Sequence, residues 1–328
     1  GGIDNLMSGL LGAPEQLVLD EVPTPSLEHH GSELARVRMH AAAVNPVDTY
    51  IRAGTYATRP ELPYTPGFEG AGVIDALPES MRDGAFSVGD RVIVCHAAAG
   101  TYAEYALCAP ENLLAMPDAI DFTQGAATWV SYATAFRALH QIGLAARGER
   151  VLVHGASGGV GLACVQLALA AQMEVFGTAS SAEGRALVLE QGAAAVFDHS
   201  AEGYDGELMA ATGGEGFALI LEMAAHVNLD RDLDLVARRG RIVVIGNRAP
   251  IEINPRKMMS KESSISAAML FGMNPQEKQR AQAAIASGLA DGALTPLIQE
   301  RFALEDASLA HQAVMRDGAR GKIVLEIS

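Results

Sequence analysis

The chain has 328 residues, 49% of them hydrophobic and 19% charged, with a net charge of −15. That length suits two domains with substantial cores, and the acidic field disfavours a general nucleic-acid role because it repels phosphate backbones, although a local basic groove is compatible with it. There is no membrane-length apolar run, no basic and apolar leader at Gly1-Gly2-Ile3-Asp4-Asn5-Leu6, and no disulfide framework or CxxC pair among Cys95, Cys108 and Cys164, so a reducing cytoplasm is the expected address.

Short strand candidates separated by turns occupy the first part of the chain: Leu17 to Leu19, Ala35 to His40, Gly70 to Ile74, Arg91 to Cys95 and Tyr102 to Leu107. Pro-rich stretches lie between them, notably Val22 to Pro25 and Arg59 to Gly67. His29-His30 sits among polar turn residues and reads as solvated rather than ligating. From Gln124 the texture changes. A helix is predicted over Ala126 to Leu139, followed by apolar strands at Val151 to Val153, Val175 to Thr178, Ala195 to Phe197, Leu219 to Met223 and Arg241 to Ile245. Helices are predicted between them at Val160 to Ala171, Ala182 to Gln191, Gly206 to Thr212 and Leu229 to Ala237. Strands that are apolar throughout and separated by helices predict a doubly wound parallel sheet covered on both faces. After an edge-strand candidate at Ile265 to Phe271 come helices over Pro275 to Ser287 and Asp306 to Arg316, then a last strand, Lys322 to Ile327. The expected fold class is α/β, with a Rossmann domain at 125–265 and a discontinuous β domain made of 1–124 and 266–328.

The segment His154-Gly155-Ala156-Ser157-Gly158-Gly159-Val160-Gly161 joins the strand at Val151 to the helix at Val160. In that context Gly158 lets backbone approach a pyrophosphate, and Gly161 lets the helix pack closely on the sheet. The helix N-terminus then turns its N–H groups toward the phosphates. The bland alternative is a tight strand-to-helix turn with no ligand. Against the usual GxGxxG, Ala156 replaces the first glycine and Gly155 is extra. The second strand ends Gly177-Thr178-Ala179-Ser180-Ser181 without a carboxylate, and Ser180 to Glu183 fits a capping box. An acid-free strand end leaves room for a 2′-phosphate, with Arg185 and His199 as partners, so NADPH is expected over NADH.

The nine histidines show no HExxH or finger spacing, so no metal site is expected. No GxSxG elbow supports acyl transfer. Hydride transfer remains, with the cofactor carrying the chemistry.

Three motifs carry a resemblance: Ala43 to Tyr56 (AVNPVDTYIRAGTY) with Leu62 to Gly67 (LPYTPG), Val151 to Ala163 (VLVHGASGGVGLA), and Ile251 to Arg256 (IEINPR) with Lys261 to Ile265 (KESSI). From about Ala43 onward the chain resembles the zeta-crystallin type of quinone oxidoreductase, in the zinc-free branch of the medium-chain dehydrogenase/reductase superfamily. The resemblance implies a GroES-like β-barrel substrate domain and an interdomain cleft holding nicotinamide and substrate. Zinc-dependent relatives carry Cys where this chain has Asn45 and His where it has Phe68, so both ligands are missing; the retained Glu69 reads as a buried, paired structural carboxylate. The resemblance places Asn45 and Tyr50 at the nicotinamide, and Ser157, Gly158, Gly159, Val160 and Gly161 at the pyrophosphate. It places Ser180, Arg185 and His199 near the adenosine phosphate, where some relatives have a lysine at the position of Gly184. Asn228, Ile245, Gly246, Asn247 and Arg248 fall on the far side of the cofactor, and Ala268, Met269 and Leu270 form a strand facing the nicotinamide. Gly246 could equally end a strand, and Leu270 could be core. Tyr56 and Tyr64 either wall the substrate pocket or pack beneath it. Ile3 to Leu11 departs from the usual opening strand and is expected to be rearranged or partly disordered.

The implied reaction is NADPH-dependent reduction of quinones or similar conjugated carbonyls, with Tyr50, or water held by Asn45, serving the developing oxyanion. An enone or enoyl-thioester reductase is the alternative within the superfamily. A structural or AU-rich-RNA-binding role, to which zeta-crystallin relatives are recruited, is the alternative from another class. A homodimer or homotetramer joined at the Ile265 to Phe271 edge is expected.

Overall fold

The computed structural model describes residues 3–27, 33–57 and 59–328; His29, His30 and Thr58 lie outside them. The chain opens with β1 (Ile3–Gly9), β2 (Leu17–Pro23), β3 (Ala35–Val44), α1 (Pro46–Arg52), β4 (Gly70–Ala76), β5 (Arg91–Val94), β6 (Tyr105–Cys108) and β7 (Leu113–Ala115). The helices α2 (Phe122–Ala126) and α3 (Trp129–Phe136) follow, the latter running on as a π-type turn to Ile142. The alternating part comprises β8 (Arg150–Val153), α4 (Gly159–Ala170), β9 (Glu174–Thr178), α5 (Ala182–Glu190), β10 (Ala195–Phe197), α6 (Tyr204–Ala211), β11 (Phe217–Glu222), α7 (Ala225–Leu235) and β12 (Val236–Val244). The chain ends with α8 (Pro255–Lys261), β13 (Ser264–Ala267), α9 (Pro275–Ala290), β14 (Ile298–Ala303), α10 (Ala307–Ala313) and β15 (Lys322–Glu326).

Two compact units result, one of residues 1–130, 295–317 and 322–328, the other of 131–294 and 318–321. The second unit is a six-stranded, wholly parallel sheet in the order β10-β9-β8-β11-β12-β13. Numbered from its first strand this is 3-2-1-4-5-6, the order of a doubly wound dinucleotide fold. Its strands are apolar because helices cover both faces: Leu152, Phe176, Phe217 and Ile220 are buried with Leu208 and Leu233 from α6 and α7. The first unit is a mostly antiparallel sheet in the order β14-β15-β3-β4-β5-β7, with β6 also paired to β3 and β14 running parallel to β15. Its core gathers Val37, Met39, Ile74, Tyr102, Leu304 and Leu325.

Three expectations are corrected. The return to the first unit comes at Thr295 rather than at 266, because β13 pairs in parallel with β12 and completes the nucleotide sheet, and the first boundary falls after Val130 rather than at 124. The edge strand ends at Ala267, and Leu270 to Gly272 form a single 3-10 turn. Residues 3–9 are an ordered strand, pairing with β2 from Ile3↔Pro23 to Gly9↔Leu17. Among the described residues no helix is long and apolar enough to cross a membrane.

Candidate functional site

In the nucleotide unit, β8 leads into the glycine segment. Gly155 takes φ +58, a left-handed conformation that suits glycine, and so turns the chain that Ala156, fully buried, could not. A Cβ on Gly161 would overlap Gly155 O and lie 2.7 Å from Ala156 Cα, so α4 can pack here only with glycine. Gly158 differs. Its φ of −74 and ψ of 170 suit any residue, and a Cβ there would have its nearest neighbours at 3.6 and 3.9 Å, Gly155 O and Ala319 Cβ. Neither packing nor backbone conformation asks for glycine at the N-cap of α4, and no side chain caps that helix end. Gly321 bonds back to this turn, its N–H donating to Ser157 O at 2.9 Å. The short stretch Gly318 to Gly321 thus packs with this unit beside the turn, although it lies far along the chain.

Beneath the turn, His154 Nε2 is 2.9 Å from Asp232 Oδ1 and 3.6 Å from Glu222 Oε2, all three buried. This is the one cluster of metal-ligating groups among the described residues. Its contacts are those of a proton-sharing group. Burial pushes Glu222 up to about 8 and Asp232 up to about 7, and holds His154 below its ordinary range. Two carboxyls this close cannot both ionise. His154 Nδ1 meets Thr178 Oγ1 at 3.1 Å, and Thr178 Oγ1 also accepts from Gly155 N–H and faces His199 Nδ1 at 3.4 Å. Asn228 is tied into the same cluster, donating to Glu222 Oε1 at 3.3 Å.

At the end of β9, Ser181 rather than Ser180 caps α5, accepting from Gly184 N–H; Gly184, not Glu183, is the third helical residue, so the expected box does not form. A Cβ on Gly184 would lie 2.9 Å from Ser181 Oγ and 3.0 Å from Ser157 Oγ, so a side chain here would require those hydroxyls to shift. Arg185 donates to Ser180 O at 2.8 Å and pairs with Asp198 Oδ2 at 2.8 Å. Ile245 N–H and Gly246 N–H both donate to Glu222 O, and a Cβ on Gly246 would overlap Met223 O. Gly246 therefore does more than end a strand. Asn247, with Ala225, Leu229, Val244, Ile265 and Ala267, lines a pocket beside this turn. Arg248 is exposed, Ala268 N–H donates to Val244 O, Met269 is exposed and Leu270 half-buried.

In the first unit, Asn45 caps α1, followed by Pro46 at its first position, and Asp48 Oδ2 accepts Asn45 N–H at 2.7 Å. That Asn-Pro-x-Asp run is a helix start absent from the predicted elements. The Asn45 amide is buried and held at both ends: Nδ2 donates to Glu69 Oε1 at 3.0 Å and Oδ1 accepts from Lys322 Nζ. Lys322 also pairs with Glu69 Oε1 at 2.8 Å, and Glu69 Oε2 accepts Val130 N–H at 2.7 Å. Glu69 is thus a buried, paired carboxylate. Its partner Lys322 was missed, because only the fold brings β15 beside β3. Burial also pushes Asp48 up to about 7. Tyr50 and Tyr56 are half-buried. Tyr64 packs under Gly9, whose Cβ would lie 2.7 Å from Tyr64 Cε1; its hydroxyl is buried without a partner among the described residues and is pushed up to about 12 by burial.

Residues 159–287 match the family model described as zinc-binding dehydrogenase, and residues 31–118 match that of the alcohol dehydrogenase GroES-like domain. The chain is 45% identical to a quinone oxidoreductase of Lama guanicoe and 44% identical to one of Homo sapiens, each over 96% of this chain and 94% of the relative. The solved structure of Escherichia coli quinone oxidoreductase complexed with NADPH superposes with a TM-score of 0.88 at 27% identity, covering 98% of this chain and 99% of that one.

Proposed function

Because the chain belongs to the quinone oxidoreductase family of the medium-chain dehydrogenase/reductase superfamily, we propose that it reduces quinones, or similar conjugated carbonyls, with NADPH and without zinc. The observation that carries this reading is Gly158. A glycine that neither its backbone angles nor its neighbours require, at an uncapped helix start, is explained by a ligand that comes close to the chain. The turn from Ser157 to Gly161, with Ser180, Arg185 and His199 at the ends of β9 and β10, would hold the phosphates and adenosine. Asn228 and Ile245 to Arg248, with Ala268, Met269 and Leu270, would hold the rest. NADPH supplies the hydride when bound.

The first unit supplies Tyr50, whose phenol can donate a proton to a substrate oxygen as charge develops there. Asn45 acts by position, since Glu69 and Lys322 fix its amide. Zinc independence is supported by the same group. A lysine ammonium already lies against Asn45 and Glu69, where a dication would meet like charge. Tyr56 remains a candidate pocket wall. Tyr64, packed under Gly9, fits better as a support beneath it. The bare edge of β13, followed by exposed Met269 and Phe271, supports pairing with a second copy of the chain, to be checked by sedimentation.

The test is NADPH consumption with a panel of quinones beside enones and crotonyl-CoA. Turnover of quinones is expected; turnover confined to the enones or the thioester would replace the quinone reading. Tyr50→Phe should lower quinone turnover by about 10²-fold with NADPH affinity unchanged, and full turnover would remove the tyrosine from the chemistry.

A further inference from the structure

The nucleotide sheet carries an acid at its strand ends, though not at the end of β9. It stands one strand over, at the end of β10. Asp198 follows Phe197 directly, and its Oδ2 lies 2.8 Å from Arg185 Nη1, while the same guanidinium nitrogen donates to Ala179 O and Ser180 O. Asp198 is itself held in place, because Oδ1 accepts from Ser200 N–H at 2.9 Å and from the Ser200 hydroxyl. Both side chains keep about a quarter to a third of their surface open, 26% for Arg185 and 30% for Asp198. A ligand at this strand end can therefore reach either partner.

An acid at the end of β9 would favour a free ribose hydroxyl, whereas an arginine there favours a 2′-phosphate. This chain has the arginine, bonded to an acid from the neighbouring strand end. We propose that Asp198 is a positioning residue for cofactor choice: by holding Arg185 across the ends of β9 and β10, it makes a 2′-phosphate compete with a carboxylate for the guanidinium, so that the preference for NADPH over NADH is weaker than Arg185 alone would give. This rests on the reading of the glycine turn as a dinucleotide cradle. Arg185 alone would make a strongly NADPH-selective site. With Asp198 beside it, the phosphate must displace or share an existing ion pair, while NADH leaves the pair intact.

The experiment measures NADPH and NADH dissociation constants by cofactor fluorescence in the full chain, with Asp198→Asn, Arg185→Gln and the double variant. Asp198→Asn should tighten NADPH about fivefold and leave NADH within about twofold. Arg185→Gln should weaken NADPH about tenfold with NADH unchanged. In the Arg185→Gln background the gain from Asp198→Asn should fall below about twofold, because the competition has lost its object. A merely structural ion pair would shift both cofactors alike, so an unchanged NADPH-to-NADH ratio in Asp198→Asn overturns the proposal. So does a gain that persists undiminished without Arg185. If the unaltered chain bound neither cofactor, the cradle reading itself would fall, and that outcome is distinct from the other two.

Discussion

The glycine cradle of the nucleotide unit and the Asn45–Glu69–Lys322 group of the first unit solve opposite problems. The cradle is made by removing side chains, so that main-chain atoms meet each other at Gly161 and room is left at Gly158, where the ligand is proposed to come. The Asn45–Glu69–Lys322 group is made by burying side chains, and its charged members are tolerable in the interior only because each satisfies another. One region should be damaged by added bulk and the other by lost charge.

That contrast can be broken experimentally. The largest effect expected is that of Lys322→Met. It leaves the Glu69 carboxylate buried without its cation, and chemical denaturation should show a loss of about 3–5 kcal/mol. Adding Glu69→Gln should recover a good part of it, since the penalty is the orphaned charge. If Lys322→Met costs less than about 1 kcal/mol, the pair is not the buried unit described. Next come the two glycines. Gly161→Ala forces a methyl into Gly155 O and should cost about 1–3 kcal/mol as well as cofactor binding. Gly158→Ala should leave stability within about 0.5 kcal/mol yet weaken NADPH about tenfold or more, because the added methyl meets only the ligand. Equal behaviour of the two variants would erase the distinction between packing glycine and ligand glycine.

The smallest effect is a pH dependence. Burial raises Glu222 to about 8 in the folded chain, against about 4 when unfolded. A carboxyl raised on folding contributes stability that is present below its unfolded pKa and lost as the pH rises through its folded one. Between about pH 4 and 8 this contribution therefore declines. Glu222→Gln removes that share, so its melting temperature should fall less over the same range, by about 2–5 °C, in thermal scans. Parallel curves for the two proteins would show that the carboxyl is not held protonated.

The two regions also differ in how far they could be read from the chain. The cradle is local, with strand, glycines and helix within a dozen positions, and its departure at Ala156 has a local cause in the left-handed Gly155. Parallel strands declared themselves by apolarity on both faces. The return to the first unit did not, because β13 is short and half-exposed, and only its pairing with β12 assigns it. The strand at residues 3–9 was equally hidden, since its Gly and Leu content says little until β2 lies beside it. Lys322 stands 277 positions from Asn45, a separation no spacing rule spans. Asp198 was missed for a smaller reason: the acid was sought at the end of β9, and it stands at the end of β10. Asn45 could be named as a candidate from its motif, but not as a residue whose amide is already committed.

The proposed reaction is reduction of a quinone by NADPH, without zinc, in a chain whose buried lysine is paired with Glu69 and Asn45. It is tested most directly by following loss of reduced-nicotinamide absorbance with a benzoquinone before and after exhaustive treatment with a strong zinc chelator. Undiminished turnover, unaffected by added zinc, is the predicted result. Turnover that disappears on chelation and returns with zinc would contradict it.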